Sequence, residues 1–130
     1  MYELLGIISA ALFMVVMLPL LLRHINRIFF KGKNRVITKL RMWFRKLHKP
    51  AGCCLAVIAL IHGYLALGSI RIHTGTLAWI VCIAAVILGV LFSIKKKAVY
   101  LVWHRRVALL AVIFIALHLL VPGALYYIGF

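Results

Sequence analysis

Four stretches of the chain carry no Lys, Arg, Asp or Glu: residues 4–22, 50–70, 72–94 and 107–130. A helix needs about 20 consecutive apolar residues to cross about 30 Å of hydrocarbon, and each stretch reaches that length. The pattern predicts four transmembrane helices, over about residues 4–27, 48–69, 75–94 and 101–121. Pro19 falls inside the first and predicts a kink, which a membrane tolerates where neighbouring helices or water satisfy the freed backbone. Between the first two helices the pattern changes. In NRVITKLRMWFRKLH the apolar Val36, Leu40, Trp43 and Leu47 recur at helical spacing, with Lys39, Arg41, Arg45 and Lys46 on other faces. That is a basic amphipathic helix, about residues 34–47, expected to lie in the inner interface. IKKKAVYLVWH reads as a short inner connection. Pro122 and Gly123 end the fourth helix, and Tyr126, Tyr127 and Phe130 suit an aromatic belt at the outer interface.

Composition agrees with this reading. Of 130 residues, 67% are hydrophobic and Glu3 is the only acid, far from the profile of a soluble domain. The expected fold is all-α: one integral membrane domain, residues 1–130, built as a four-helix bundle. The first apolar run starts with an acid, is longer than a usual signal-peptide core and is followed by Arg23 and a basic loop, so a retained helix is expected.

The net charge of +15 raises nucleic acid as a partner, but its distribution argues otherwise. Ten Lys or Arg fall in residues 23–49 and five more in 95–106, while Arg71 alone marks the remaining interhelical loop. Charge alternates loop by loop, as the positive-inside rule requires. Both basic loops are therefore expected inside, with the N-terminus, the 71–75 loop and the C-terminus outside. No nucleic-acid partner is expected. The basic residues would orient the chain in a cell membrane and touch anionic lipid. Cys53, Cys54 and Cys82 all lie in apolar segments and no Cys-x-x-Cys-His occurs, which excludes covalent c-type haem attachment.

The chemistry lies in the histidines. HKPAGCCLAVIALIH (48–62) and HRRVALLAVIFIALH (104–118) each hold thirteen residues between two histidines. Fourteen steps of an α-helix fall about 40° short of four full turns and advance about 21 Å. Each pair therefore shares one face, at two depths. Both helices leave an inner loop, so they run parallel: His48 is level with His104 near the inner side, and His62 with His118 in the outer half. Facing imidazoles at one level suit the two axial positions of a haem iron, and the spacing leaves room for two haem b groups stacked across the membrane. Gly52, Ala59 and Ala66 on the second helix, with Ala108 and Ala111 on the fourth, would make space for the macrocycles. Zinc is a weaker candidate, because each level offers two ligands and no carboxylate lies inside to complete a tetrahedral site. Lys49, Arg105 and Arg106 adjoin the inner histidines and would meet haem propionates. His73 and Arg71 are candidates for outer propionates or a substrate, and His24, roughly level with His48, for a substitute ligand. Trp103 and Tyr100 read as interfacial belt residues.

HKPAGCCLAVIALIHGYL and WHRRVALLAVIFIALHLL resemble the haem-binding helices of the ferric-reductase-like transmembrane domain. That family includes iron reductases, NADPH oxidases and the membrane subunit of bacterial methionine sulfoxide reductase systems. The resemblance covers helices two to four, and helix one by position. The four-residue step from His48 to Gly52 and the pair His62–Gly63 belong to it. Paired histidines at this spacing also occur in the cytochrome b of quinol-oxidising complexes. The resemblance implies electron transfer across the membrane, with His48 and His104 holding an inner haem and His62 and His118 an outer one. Larger members have six helices and a flavin and nicotinamide domain. This chain has four helices and no Gly-rich dinucleotide fingerprint, so a separate reductase, flavoprotein or quinol is the expected donor. The basic 34–47 segment would be an alternative docking surface for such a donor. Two other readings stay open: a haem-bearing anchor subunit of a larger redox complex, and a small haem-free membrane protein whose histidines bond helices together.

Overall fold

The computed structural model describes residues 1–68 and 72–121, and among them every regular element is an α-helix. In chain order these are α1 (Tyr2–Phe30), α2 (Arg35–Leu67), α3 (Thr74–Lys95) and α4 (Ala98–Leu120). All four are long and apolar enough to cross a membrane. Arg71, Pro122, Gly123, Tyr126, Tyr127 and Phe130 lie outside the described residues. The chain divides into two compact units: Met1 with Glu3–Ile58, and Tyr2 with the chain from Ala59 onward.

In the first unit α1 and α2 form a hairpin. α1 stops where Lys31 (φ 49°) and Gly32 (φ 80°) turn left-handed and the Gly32 N–H donates to the Asn26 carbonyl at 2.8 Å, a closure that satisfies an end carbonyl of the helix. Asn34 then caps α2, its Oδ1 accepting the N–H groups of Val36 (3.0 Å) and Ile37 (3.1 Å). Asn26, which is buried, ties the two together. Its Nδ2 donates to Thr38 Oγ1 (3.1 Å) and to the Asn34 carbonyl (3.3 Å), while its Oδ1 accepts the Asn34 N–H (3.1 Å). Removing the amide leaves the part-buried Asn34 N–H without its acceptor, at a cost of about 1–3 kcal/mol, while the Thr38 hydroxyl keeps its bond to the Asn34 carbonyl at 2.9 Å. Asn26→Ala is therefore expected to lower the thermal midpoint in detergent and to speed proteolytic nicking at residues 31–34, whereas Asn26→Ala with no change in either measure would mean the network contributes nothing.

The stretch 34–47 is not a separate helix. It runs unbroken into the apolar segment as the first part of α2, through Pro50. Nothing between residues 35 and 49 is Gly or Pro, and Lys, Arg, Leu and Met are strong helix formers. Pro50 removes one N–H and crowds the Lys46 carbonyl, but apolar surroundings offer the backbone no better partner than the helix itself. The 33 residues of α2 correspond to about 50 Å of helix, well beyond about 30 Å of hydrocarbon.

In the second unit α3 and α4 pack on each other. The connection expected over about residues 95–100 shrinks to Lys96 and Lys97, because α3 ends at Lys95 and α4 starts at Ala98. Lys96 turns left-handed (φ 54°) as its N–H closes on Phe92 O, and so short a link forces antiparallel helices. Among the described residues six hydrophobic side chains are buried, five of them alanines: Ala51, Ala56, Ala78, Ala85 and Ala111, with Leu55. Large apolar side chains such as Ile7, Ile87, Leu109 and Leu119 point outward. Small residues inside and large ones outside is the arrangement expected where lipid, not water, surrounds the helices.

Candidate functional site

Each of the four paired histidines presents its Nδ1 to an oxygen. In the first unit, His48 Nδ1 donates to the Val16 carbonyl of α1 at 3.0 Å. Pro19 lies on the adjoining turn, where it cannot give Val15 a donor and crowds that carbonyl. In the second unit, His62 Nδ1 donates to the Tyr2 carbonyl at 2.8 Å and His104 Nδ1 to the Ala85 carbonyl of α3 at 2.8 Å. His118 Nδ1 lies 3.0 Å from Thr74 Oγ1, and Thr74 is fully buried. A carbonyl can only accept, so at three of the four rings Nδ1 carries the proton. In the neutral ring the lone pair then sits on Nε2.

His73 is arranged the other way. It caps α3 in an extended conformation, and its Nδ1 accepts the Gly75 N–H at 3.3 Å. In the neutral ring its proton is therefore on Nε2. It also meets His118 edge to face, with ring centroids 5.6 Å apart. His62, His73 and His118 all belong to the second unit. His48 belongs to the first unit and His104 to the second.

The rings of α4 rest on glycines of α3. A Cβ added to Gly89 would stand 3.4 Å from Cε1 and Nδ1 of His104, and one added to Gly75 would stand 3.0 Å from Cε1 of His118. These glycines were not singled out from the sequence, although a signal was there: Gly75 and Gly89 are fourteen residues apart, like His104 and His118. Asn26, Asn34 and Thr74 escaped notice for a different reason, since short polar residues near helix ends read as ordinary caps.

The other candidates are less engaged. His24 is exposed. Asn26 against Thr38 and Val16 against His48 belong to one antiparallel register, which puts His24 level with Leu40. It stands eight residues, about 12 Å of helix, from the Val16 level, so it is not level with His48. Lys49, Arg105 and Arg106 are exposed, and the Arg106 guanidinium lies 5.3 Å from the Trp103 ring centre. Gly52, Ala59 and Ala108 are half-buried, Ala66 is exposed and Ala111 is buried. A Cβ on Gly52 would meet nothing within 4 Å. All three cysteines are free thiols. Among the described residues no three of His, Cys, Asp or Glu gather into a set that could bind a metal ion directly. No protein-family model, no curated protein and no solved structure matches the chain.

Proposed function

We infer that this chain is a membrane cytochrome that moves single electrons between an inner donor and an outer acceptor on two non-covalent haem b groups. The observation that carries the reading is the Nδ1 contact made by all four paired histidines. A ligating histidine commonly donates its other ring N–H to a carbonyl or similar oxygen, which selects the tautomer, orients the ring and raises the basicity of Nε2. Four imidazoles with Nδ1 against an oxygen, in two sequence pairs of equal spacing, would supply the donor set that two six-coordinate haems require. A different need, a tetrahedral ion site, would call for three or four converging ligands, and none converge among the described residues.

Bound haem would supply a one-electron ferric–ferrous couple. The protein's own part is to hold and insulate it. His48 and His104 would ligate the inner group and His62 and His118 the outer one. The carbonyls of Val16, Tyr2 and Ala85 keep three rings in the ligating tautomer, and the Thr74 hydroxyl does so for the fourth when it accepts. Lys49, Arg105 and Arg106 adjoin the inner histidines in sequence and would supply cations for propionates, and His73, beside His118, would serve the outer group. The apolar helices exclude water. Electrons would enter from a separate reductase, flavoprotein or quinol, and the basic start of α2, where Leu40 and Trp43 are exposed among cations, suits an acidic donor as well as anionic lipid.

One observation favours a second reading. The His48 and His104 bonds also join neighbouring helices, and such bonds alone stabilise haem-free membrane proteins. A reduced-minus-oxidised spectrum of the purified chain, with haem counted as its pyridine adduct, separates the two. The cytochrome predicts a low-spin b-type spectrum and two haems per chain. No haem, even when supplied during expression, would leave the histidines as interhelical contacts.

A further inference from the structure

α3 carries none of the four proposed ligands, yet both histidines of α4 are seated on it. The two seats repeat at the histidine interval and belong to one antiparallel register, His104 on Gly89 and His118 on Gly75. Each seat has two parts. The imidazole edge lies against a glycine, where an added Cβ would stand 3.0 Å away at Gly75 and in ordinary contact at 3.4 Å at Gly89, and an oxygen on α3 engages Nδ1. At His104 the oxygen is the Ala85 carbonyl, one helical turn before Gly89 and on the same face, so the ring crosses the bare glycine to reach it. At His118 it is the hydroxyl of Thr74, beside Gly75. The seats are specific to α3. Gly52 and Gly63 adjoin the histidines of α2 in sequence, but a Cβ on either would meet nothing within 4 Å.

We propose that α3 is the positioning helix of both haem levels, with Gly75 and Gly89 as positioning residues for His118 and His104 and Thr74 as the residue that sets the electron richness of the outer ligand. This rests on the dihaem reading above. Ligation through Nε2 requires Nδ1 to keep its proton. The Ala85 carbonyl enforces that at His104, whereas Thr74 does so only when its hydroxyl accepts. A hydroxyl oxygen is the weaker acceptor, so His118 donates less electron density to its iron than His104. The outer haem then has the higher potential, and transfer from inner to outer runs downhill.

The test uses the full chain loaded with haem in detergent, read by redox titration, by the low-spin ferric resonance signals and by the haem-to-protein ratio. His48→Ala and His62→Ala first assign each signal to a level. Gly89→Val, larger than the ordinary contact an alanine would make there, is expected to shift or lose the inner signal alone, and Gly75→Ala the outer signal alone. Thr74→Val should raise the outer midpoint and Thr74→Ser should restore it, while the inner midpoint stays in place. Helix content and monodispersity are measured on every variant. Glycine variants that leave both signals unchanged, or that abolish both levels together, overturn the positioning role of α3. An outer midpoint below the inner one, or unmoved by Thr74→Val, overturns the role of Thr74. Those results leave the dihaem reading intact, whereas a wild-type chain without haem overturns both.

Discussion

His62→Ala is expected to drop the haem content from two per chain to one and to reduce transmembrane electron transfer to background. The size of the effect follows from the geometry of the reading. The two levels stand about 21 Å apart along α2, so the outer level is the only proposed relay between the inner level and the outer face. In the proposed reading an alanine at position 62 would remove one of the two ligands of the outer haem, while the proposed His48 and His104 level keeps both of its ligands and its signals should persist. Proteoliposomes with a reductant enclosed and a ferric acceptor outside measure the transfer, and the pyridine adduct measures the haem. Wild-type transfer by His62→Ala would remove His62 from the site, and loss of both haems would show that the levels are not independent. His62 also bonds the Tyr2 carbonyl, so helix content and thermal stability of the variant must accompany the result.

Orientation should be all-or-none. A single reactive cysteine in place of Lys33 or Lys96, in a background with Cys53, Cys54 and Cys82 replaced by serine or alanine, is expected to resist a membrane-impermeant maleimide in intact cells and to react once the membrane is opened. A cysteine in place of Ile72 should react in both. The reason is the distribution of charge: the 31–34 turn and the 96–97 turn sit among fifteen of the sixteen Lys and Arg of the chain, and such clusters are retained inside. The structure places Lys33, Lys96 and Ile72 between helices and exposed, so all three are accessible to reagent on whichever side they face. Labelling of Lys33→Cys in intact cells would invert the assignment of inner and outer levels, and with it the expected side of the electron donor.

How far the sequence carries can be seen residue by residue. The class and number of helices follow from four uncharged runs, because the cost of burying charge in hydrocarbon acts locally and needs no knowledge of neighbours. Helix ends are less legible in the sequence. The amphipathic 34–47 segment reads as separate because its hydrophobic period differs from that of the run after Pro50. Periodicity reports which faces are wet, not where the backbone breaks, and α2 continues through both environments. The start of α4 at Ala98 in place of about 101 has a similar cause, since Lys95–Lys97 hid a link of only two residues.

The sequence by itself determined an all-helical chain with four helices able to cross a membrane, and it determined that four histidines form two pairs at one interval. Both properties are linear: hydrocarbon thickness fixes how long an apolar run must be, and helix geometry fixes what fourteen residues mean. Only the tertiary structure decided which oxygen each Nδ1 meets, that Gly75 and Gly89 lie beneath the rings of α4, that Asn26 closes the first hairpin, and that Nδ1 of His73 accepts where Nδ1 of His48, His62 and His104 donates. Those facts depend on the register between helices. Register is set by which small side chains let two backbones approach, and no single helix carries that information.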